Sequence, residues 1–190
     1  MIWETIVTTR SPLGRVHIAP MGIRMPEPGV VLLAPFRPST TLDNLLASRC
    51  AVVNLTDDVR VFAGCLTGRH DWPIAACTHV PGVRLAGCLA HRELRVSSVE
   101  DDPQRPVVLC DVVHEQTHAP FRGFNRAQSA VVEAAILVSR LDMLPPEKID
   151  AEVRYLAIAI EKTAGEAERE AWGWLMDRIA VHRAKPADPA

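Results

Sequence analysis

Glu4-Thr5-Ile6-Val7-Thr8-Thr9 and, after a short connector, Val16-His17-Ile18-Ala19-Pro20-Met21-Gly22 decide the fold class of this chain. Ile2 to Thr9 is rich in β-branched residues, and Arg15 to Ala19 alternates polar with apolar, so the two runs read as a β-hairpin. Ser11-Pro12-Leu13-Gly14 between them carries turn chemistry. Pro20 has no N–H for a sheet ladder, so the chain leaves the sheet there or lies on its edge. Gly22 has no Cβ, so a flat ligand can approach the backbone closely. A strand that ends in proline and glycine can wall a planar ligand, but a plain strand end is the commoner case.

Working outward, Gly29-Val30-Val31-Leu32-Leu33-Ala34-Pro35 is continuously apolar and predicts a third, fully buried strand. Leu42, Leu45 and Leu46 then recur at helical spacing, with Ser39 or Thr40 as the N-cap, so a short helix starts at Thr40 or Thr41. Cys50 to Leu55 predicts another strand, and Val59 to Cys65 an irregular segment. Arg84 to Leu89 and Leu94 to Val99 read as a strand pair flanking Ala90 to Glu93, and Pro106 to Val113 as a further strand. An antiparallel barrel is the economical arrangement, because closure removes exposed edges. The last third is helical. Apolar stripes predict helices over Asn125–Leu141, Glu147–Ala164 and Ala167–Ala184, the last two as an antiparallel hairpin. The fold class is thus α+β with a mostly β core: a barrel over 1–124, helices over 125–185 packed on it or on a partner subunit, and a disordered tail at 186–190.

The chain has 190 residues and 48 % hydrophobic content, enough for one domain with a real core. A net charge of −2 gives no electrostatic case for nucleic acid or an anionic membrane. No apolar run approaches the roughly 20 residues of a membrane span, and the start of the chain does not read as a signal peptide. Five cysteines without a C-x-x-C pair read as small core residues in a reducing compartment, so the expected setting is the cytoplasm. Tryptophans 172 and 174 read as core or interface residues.

Three stretches carry candidate chemistry. Arg37-Pro38-Ser39-Thr40-Thr41 opens a helix, where unpaired amides, hydroxyls and a planar guanidinium suit a phosphate; an ordinary cap with a surface arginine is the alternative. Asn54-Leu55-Thr56 ends a strand, and the Asn54 amide suits a heterocycle edge or a structural turn bond. Gly123-Phe124-Asn125-Arg126 places Asn125 as an N-cap and Arg126 at the positive end of a helix, where a cation calls for an anionic partner. His114-Glu115-Gln116-Thr117-His118 matches the H-E-x-x-H zinc-protease pattern, but that chemistry needs a helix. Following a β run, the two histidines lie about 13 Å apart at about 3.3 Å per residue and cannot share one ion. The only later histidine is His182, so no metal is expected.

Taken together, these motifs resemble the domain of unknown function family 447, in the FMN-binding split β-barrel, flavin-reductase-like superfamily. The resemblance rests on Glu4 to Thr9, His17 to Gly22, Arg37 to Leu45, Val52 to Asp58, Gly123 to Ala127 with Glu133, and Ser139 to Leu141, in that order. It implies a homodimer of split barrels, each binding FMN near the subunit interface. By similarity, Ala19, Pro20, Met21 and Gly22 border the isoalloxazine, and His17 faces either solvent or the cofactor. Arg37, Ser39, Thr40 and Thr41 hold the phosphate, and Asn54 and Thr56 sit at the ribityl or ring edge. Thr40 stands where the flavin-reductase pattern has an acidic residue. Arg126 joins the cofactor-binding set. Family members occur in methanogens and in methylotrophs that use tetrahydromethanopterin, which implies a role near one-carbon metabolism. The expected function is an FMN-dependent oxidoreductase acting on a small-molecule redox substrate. The alternative is a non-catalytic flavin-binding or assembly protein.

Overall fold

The computed structural model describes residues 1–184. The tail expected at 186–190 lies outside the described residues. Two compact units emerge. Among the described residues, one comprises 1–57 and 71–121, the other 58–70 and 122–184. Segment 58–70 thus belongs with the C-terminal helices, not with the barrel as the sequence reading had it.

In the first unit, β1 (Trp3–Arg10), β2 (Val16–Ile23), β3 (Val30–Leu33), β4 (Cys50–Leu55), β7 (Ala90–Glu100) and β8 (Val107–Thr117) form one antiparallel sheet. The order is β2-β1-β4-β7-β8-β3. The sheet curls until its two edges meet: Arg24, just past β2, exchanges backbone hydrogen bonds with Leu32 of β3 at 3.1 and 2.8 Å. A two-stranded ribbon, β5 (Ile74–Ala76) with β6 (Val83–Leu85), lies apart from this sheet, and α1 (Thr40–Ser48) connects β3 to β4.

The opening hairpin forms as the pattern predicts, with Thr9 opposite His17 and Glu4 opposite Gly22. Gly14 takes the left-handed conformation its turn requires, at φ +81°. Pro20 stays in the strand, because β2 is an edge strand and its missing N–H costs no ladder bond. β3 is also at an edge. Only Val31 and Leu33 are buried, which corrects the expectation of a fully buried strand. The core between the sheet and α1 gathers Val7, Ile23, Val31, Leu33, Leu42, Leu45, Val53, Leu94, Val108 and Cys110. β4 reads as continuously apolar because both its faces are covered: Val53 enters this core, and Val52 packs with Cys50 and Val80.

Two further expectations change. Val59 to Cys65 is not irregular: α2 (Arg60–Leu66) forms there, opened by the Asp58 carboxylate, which accepts from the Arg60 amide at 3.1 Å. Its buried run Val61-Phe62-Ala63-Gly64 has no helical period to read. The expected strand pair across Ala90 to Glu93 is replaced by one long β7 that runs through those residues and pairs with β4 and β8. Polar His91, Arg92 and Glu93 hid the strand, yet His91 and Glu93 are buried.

The second unit holds α2 with α3 (Arg126–Val138), α4 (Pro146–Thr163) and α5 (Glu166–Arg183). Asn125 caps α3, accepting from the Ala127 and Gln128 amides at 2.7 and 3.3 Å. α4 packs chiefly on α3, α5 packs equally on α2 and α3, and the two touch each other only slightly, so the predicted hairpin is held by α3 and not by its own seam. Trp172 and Trp174 are half-buried, with Arg69 over the Trp174 ring at 4.3 Å. None of the described helices is long and apolar enough to cross a membrane.

Asn54 ties the ribbon to the sheet. Its side-chain oxygen accepts from the Leu85 amide at 2.7 Å, and its nitrogen donates to the Ile6 carbonyl at 3.1 Å. We expect Asn54→Ala to cost about 2–4 kcal/mol in urea unfolding, because it leaves buried backbone groups unpaired. Leu94→Ala, at the centre of the core, should cost about 2–5 kcal/mol in the same measurement.

Candidate functional site

The approach to α1 is built by its sequence. Ser39 is extended, its hydroxyl accepts from the Leu42 amide at 3.3 Å, and its carbonyl accepts from the Asp43 amide at 3.1 Å. The helix itself offers the Thr40 and Thr41 amides no acceptor, so they face outward at the positive end of the dipole. Thr40 is exposed and Thr41 buried. Arg37, two residues upstream across a cis Arg37–Pro38 peptide, donates from Nη2 to Asp101 at 2.7 Å, and both side chains are well exposed. Residues 101–105 add a second cation that sequence reading missed. Arg105 lies over the Phe36 ring at 4.8 Å and donates to the Ala34 carbonyl at 2.8 Å. Asp102 binds the Gln104 and Arg105 amides, which lowers its pKa and fixes this turn. The segment that leads into α1 thus carries two guanidinium groups, Arg37 on Asp101 and Arg105 on the Ala34 carbonyl.

The other residues singled out from the sequence fall in different places. His17, Ala19, Pro20, Met21 and Gly22 line the edge strand β2, half-buried. Thr5 donates to the Met21 carbonyl at 2.8 Å. The space a Cβ on Gly22 needs is filled by a methyl of Ile2, 2.8 Å away, so the missing side chain here admits Ile2. Thr56 follows β4 and is half-buried. The Asn54 side chain is taken up by the internal bonds described above, which is the structural alternative the sequence left open. Arg126 is exposed at the start of α3, in the helical unit.

A second constellation was not foreseen. In an antiparallel pair, residues directly opposite share a face and alternate along each strand. His91 lies opposite Gln116 and Glu93 opposite His114, so His91, Glu93, His114 and His118 come to one face of β7 and β8. The H-E-x-x-H stretch is strand for most of its length, and its two histidines do not pair with each other. The His118 ring stacks on His91 at 5.0 Å, with its Nε2 2.9 Å from His91 Nδ1. The His114 ring stacks on His79 at 4.2 Å and meets His91 edge-on at 5.8 Å.

Glu93 sits at the centre with no exposure. Its carboxylate accepts from the Thr78, His79 and Val80 amides at 3.1, 2.7 and 2.8 Å, and its Oε1 is 3.4 Å from His91 Nε2. Burial alone would raise its pKa, but these donors outweigh burial and hold it at about 2. Desolvation is also the first cause that lowers the pKa of His91 and, though it lies at the surface, of His118. Cys77 is pushed up to about 12, by burial first and then by the Glu93 charge.

Comparison with known proteins agrees with this architecture. Residues 3–119 match the N-terminal domain, and residues 125–177 the C-terminal part, of the protein family of unknown function DUF447. No curated sequence matches the chain. Among solved structures, it is similar to an FMN-bound DUF447 protein from Methanosarcina mazei, with a TM-score of 0.81 at 21 % identity over 93 % of this chain and 94 % of that one. It also resembles the 2-nitrobenzoate 2-nitroreductase of Pseudomonas fluorescens, with a TM-score of 0.53 at 19 % identity over 60 % of this chain and 64 % of the enzyme. An NADH:FAD oxidoreductase of Streptomyces globisporus gives a TM-score of 0.51 at 15 % identity over 60 % of this chain and 75 % of the other. The resemblance read from the motifs thus reaches both units, and the chain belongs to the DUF447 family with the flavin-binding split-barrel fold.

Proposed function

We propose that this chain binds FMN with its phosphate at the start of α1, and works as a flavin-dependent oxidoreductase on a small-molecule redox substrate. The observation that carries the reading is the match, over nearly the whole chain, to a family member that holds FMN. The donor set supports it. A phosphate monoester needs several N–H donors and a planar cation, and the Thr40 and Thr41 amides, the Thr40 hydroxyl and Arg37 supply them. Arg37 exchanges its Asp101 partner for the phosphate, and Arg105 adds a second positive charge beside Phe36.

The β2 backbone from Ala19 to Gly22 provides the wall for the ring, His17 lies along it, and Thr56 sits at the ring or ribityl edge. Asn54 acts indirectly, by fixing the end of β4. When bound, FMN supplies the redox chemistry; the chain binds, orients and shields it. The same reading includes a homodimer, as the family resemblance implies, and a cytoplasmic setting, where five free thiols persist. The acceptor class, flavin or pterin-like, also follows from the resemblance and its link to one-carbon metabolism.

The test is the visible spectrum of the purified protein during titration with FMN. We expect a perturbed flavin spectrum, and Arg37→Ala to weaken binding by roughly 10- to 100-fold through loss of a charged hydrogen bond. Bound flavin oxidising NADH or NADPH with turnover identifies the enzyme. Bound flavin without turnover identifies the non-catalytic alternative, and no perturbation at micromolar FMN overturns the reading.

A further inference from the structure

The histidine-rich face of β7 and β8 has no part in the flavin reading, and its donor chemistry is specific. Three ligand atoms, Cys77 Sγ, a His91 ring nitrogen and a Glu93 carboxylate oxygen, lie within 4.8 Å of one another. Ligand atoms around a tetrahedral zinc ion sit roughly 3.3–3.7 Å apart, so this set needs only side-chain adjustment to close on one. We propose that Cys77, His91 and Glu93 form a binding site for a divalent transition-metal ion of borderline softness, zinc in the first instance, with His118 holding the His91 ring.

Four observations support this set. One thiol, one imidazole and one carboxylate are the sulfur, nitrogen and oxygen donors zinc takes, whereas magnesium and calcium take oxygen alone. His91 and Glu93 are almost completely buried, with side-chain exposures of 3 % and 1 %, so the ligands are held by the fold and not by solvent. His91 carries the outer partner that metal-bound imidazoles usually have: Nδ1 is bonded to His118, which leaves Nε2 toward Glu93. The Thr78, His79 and Val80 amides orient the Glu93 carboxylate before any ion arrives. In the apo protein His91 satisfies Glu93 by donating from Nε2. On binding, the proton sits on Nδ1, bonded to His118, and the ion takes the Nε2 lone pair. The Cys77 thiol gives its proton to solvent, and its thiolate completes the three protein ligands, with water in the fourth position.

A second set, His79, Glu93 and His114, shares the carboxylate. It is the weaker one. The His79 side chain is about half exposed, and its Nδ1 is engaged with the Thr78 hydroxyl at 2.8 Å.

The test uses the full-length protein titrated with Zn²⁺ against a chromophoric chelator, and with Co²⁺ followed by absorption. We expect one zinc per chain and, for cobalt, a sulfur-to-metal charge-transfer band in the near-ultraviolet. Cys77→Ser should abolish that band and weaken zinc by roughly 100-fold or more, while Cys65→Ser, in the helical unit, leaves both unchanged. His118→Ala, at an exposed residue, should weaken zinc by roughly 10- to 100-fold with the band retained. Absence of binding at micromolar metal, a cobalt complex without the band, or zinc affinity lost in His114→Ala but kept in Cys77→Ser would each overturn the proposal. If Cys77→Ser does not fold, as judged by circular dichroism, the wild-type cobalt band and His118→Ala decide. None of these readouts depends on flavin.

Discussion

A carboxylate without solvent exposure is the constraint on which much of the barrel unit rests. An unpaired buried charge costs several kcal/mol, so Glu93 is tolerable in the middle of β7 only with donors on its oxygens. Three consecutive amides of the 78–80 turn supply them. That turn must therefore lie against the sheet, and the rest of segment 71–89 goes with it. Val80 reaches Val52 and closes the second apolar cluster, and the β5–β6 ribbon is tied down twice more. Asn54 accepts from the Leu85 amide, and Thr8 donates to the Val83 carbonyl. Three buried polar residues on three adjacent strands thus anchor a segment whose own strands have three residues each.

Much of this was legible in the sequence, and what was hidden has a physical reason. The β1–β2 hairpin, α1 with its Ser39 cap, β4, and the three C-terminal helices follow from period, turn chemistry and capping residues. The misreadings fall where burial and polarity disagree. His91-Arg92-Glu93 does not look like a strand, because the buried members of its alternation are a histidine and a glutamate, each satisfied by groups remote in sequence. α2 is short and buried along a continuous run, so it shows no stripe. β3 looked fully buried because an edge position cannot be told from composition alone. Alternation groups His91 with Glu93 on β7 and His114 with Gln116 and His118 at β8, and the register between the two strands then puts both groups on one face.

The same contrast divides the candidate sites. The α1 approach is local, three residues of one turn with a cation just before it, which is why the sequence alone suggests it. Asp101 and Arg105 reach Arg37 and Phe36 from a turn some 65 residues away, which only the fold reveals. The histidine face is entirely non-local: its groups come from β7, β8 and the 77–80 turn. Asn54 shows the reverse case, a polar residue at a strand end that invites a ligand role and serves the fold instead.

Recognition of FMN through its phosphate at the start of α1 would set this chain apart from a protein that holds the flavin by its ring alone. The most direct measurement compares the dissociation constants of FMN and riboflavin, which share the ring and ribityl chain and differ by the phosphate alone. The account predicts FMN to bind at least about tenfold more tightly, a difference of about 1.4 kcal/mol, with the gap narrowing as salt rises. Equal affinities for the two flavins would contradict it.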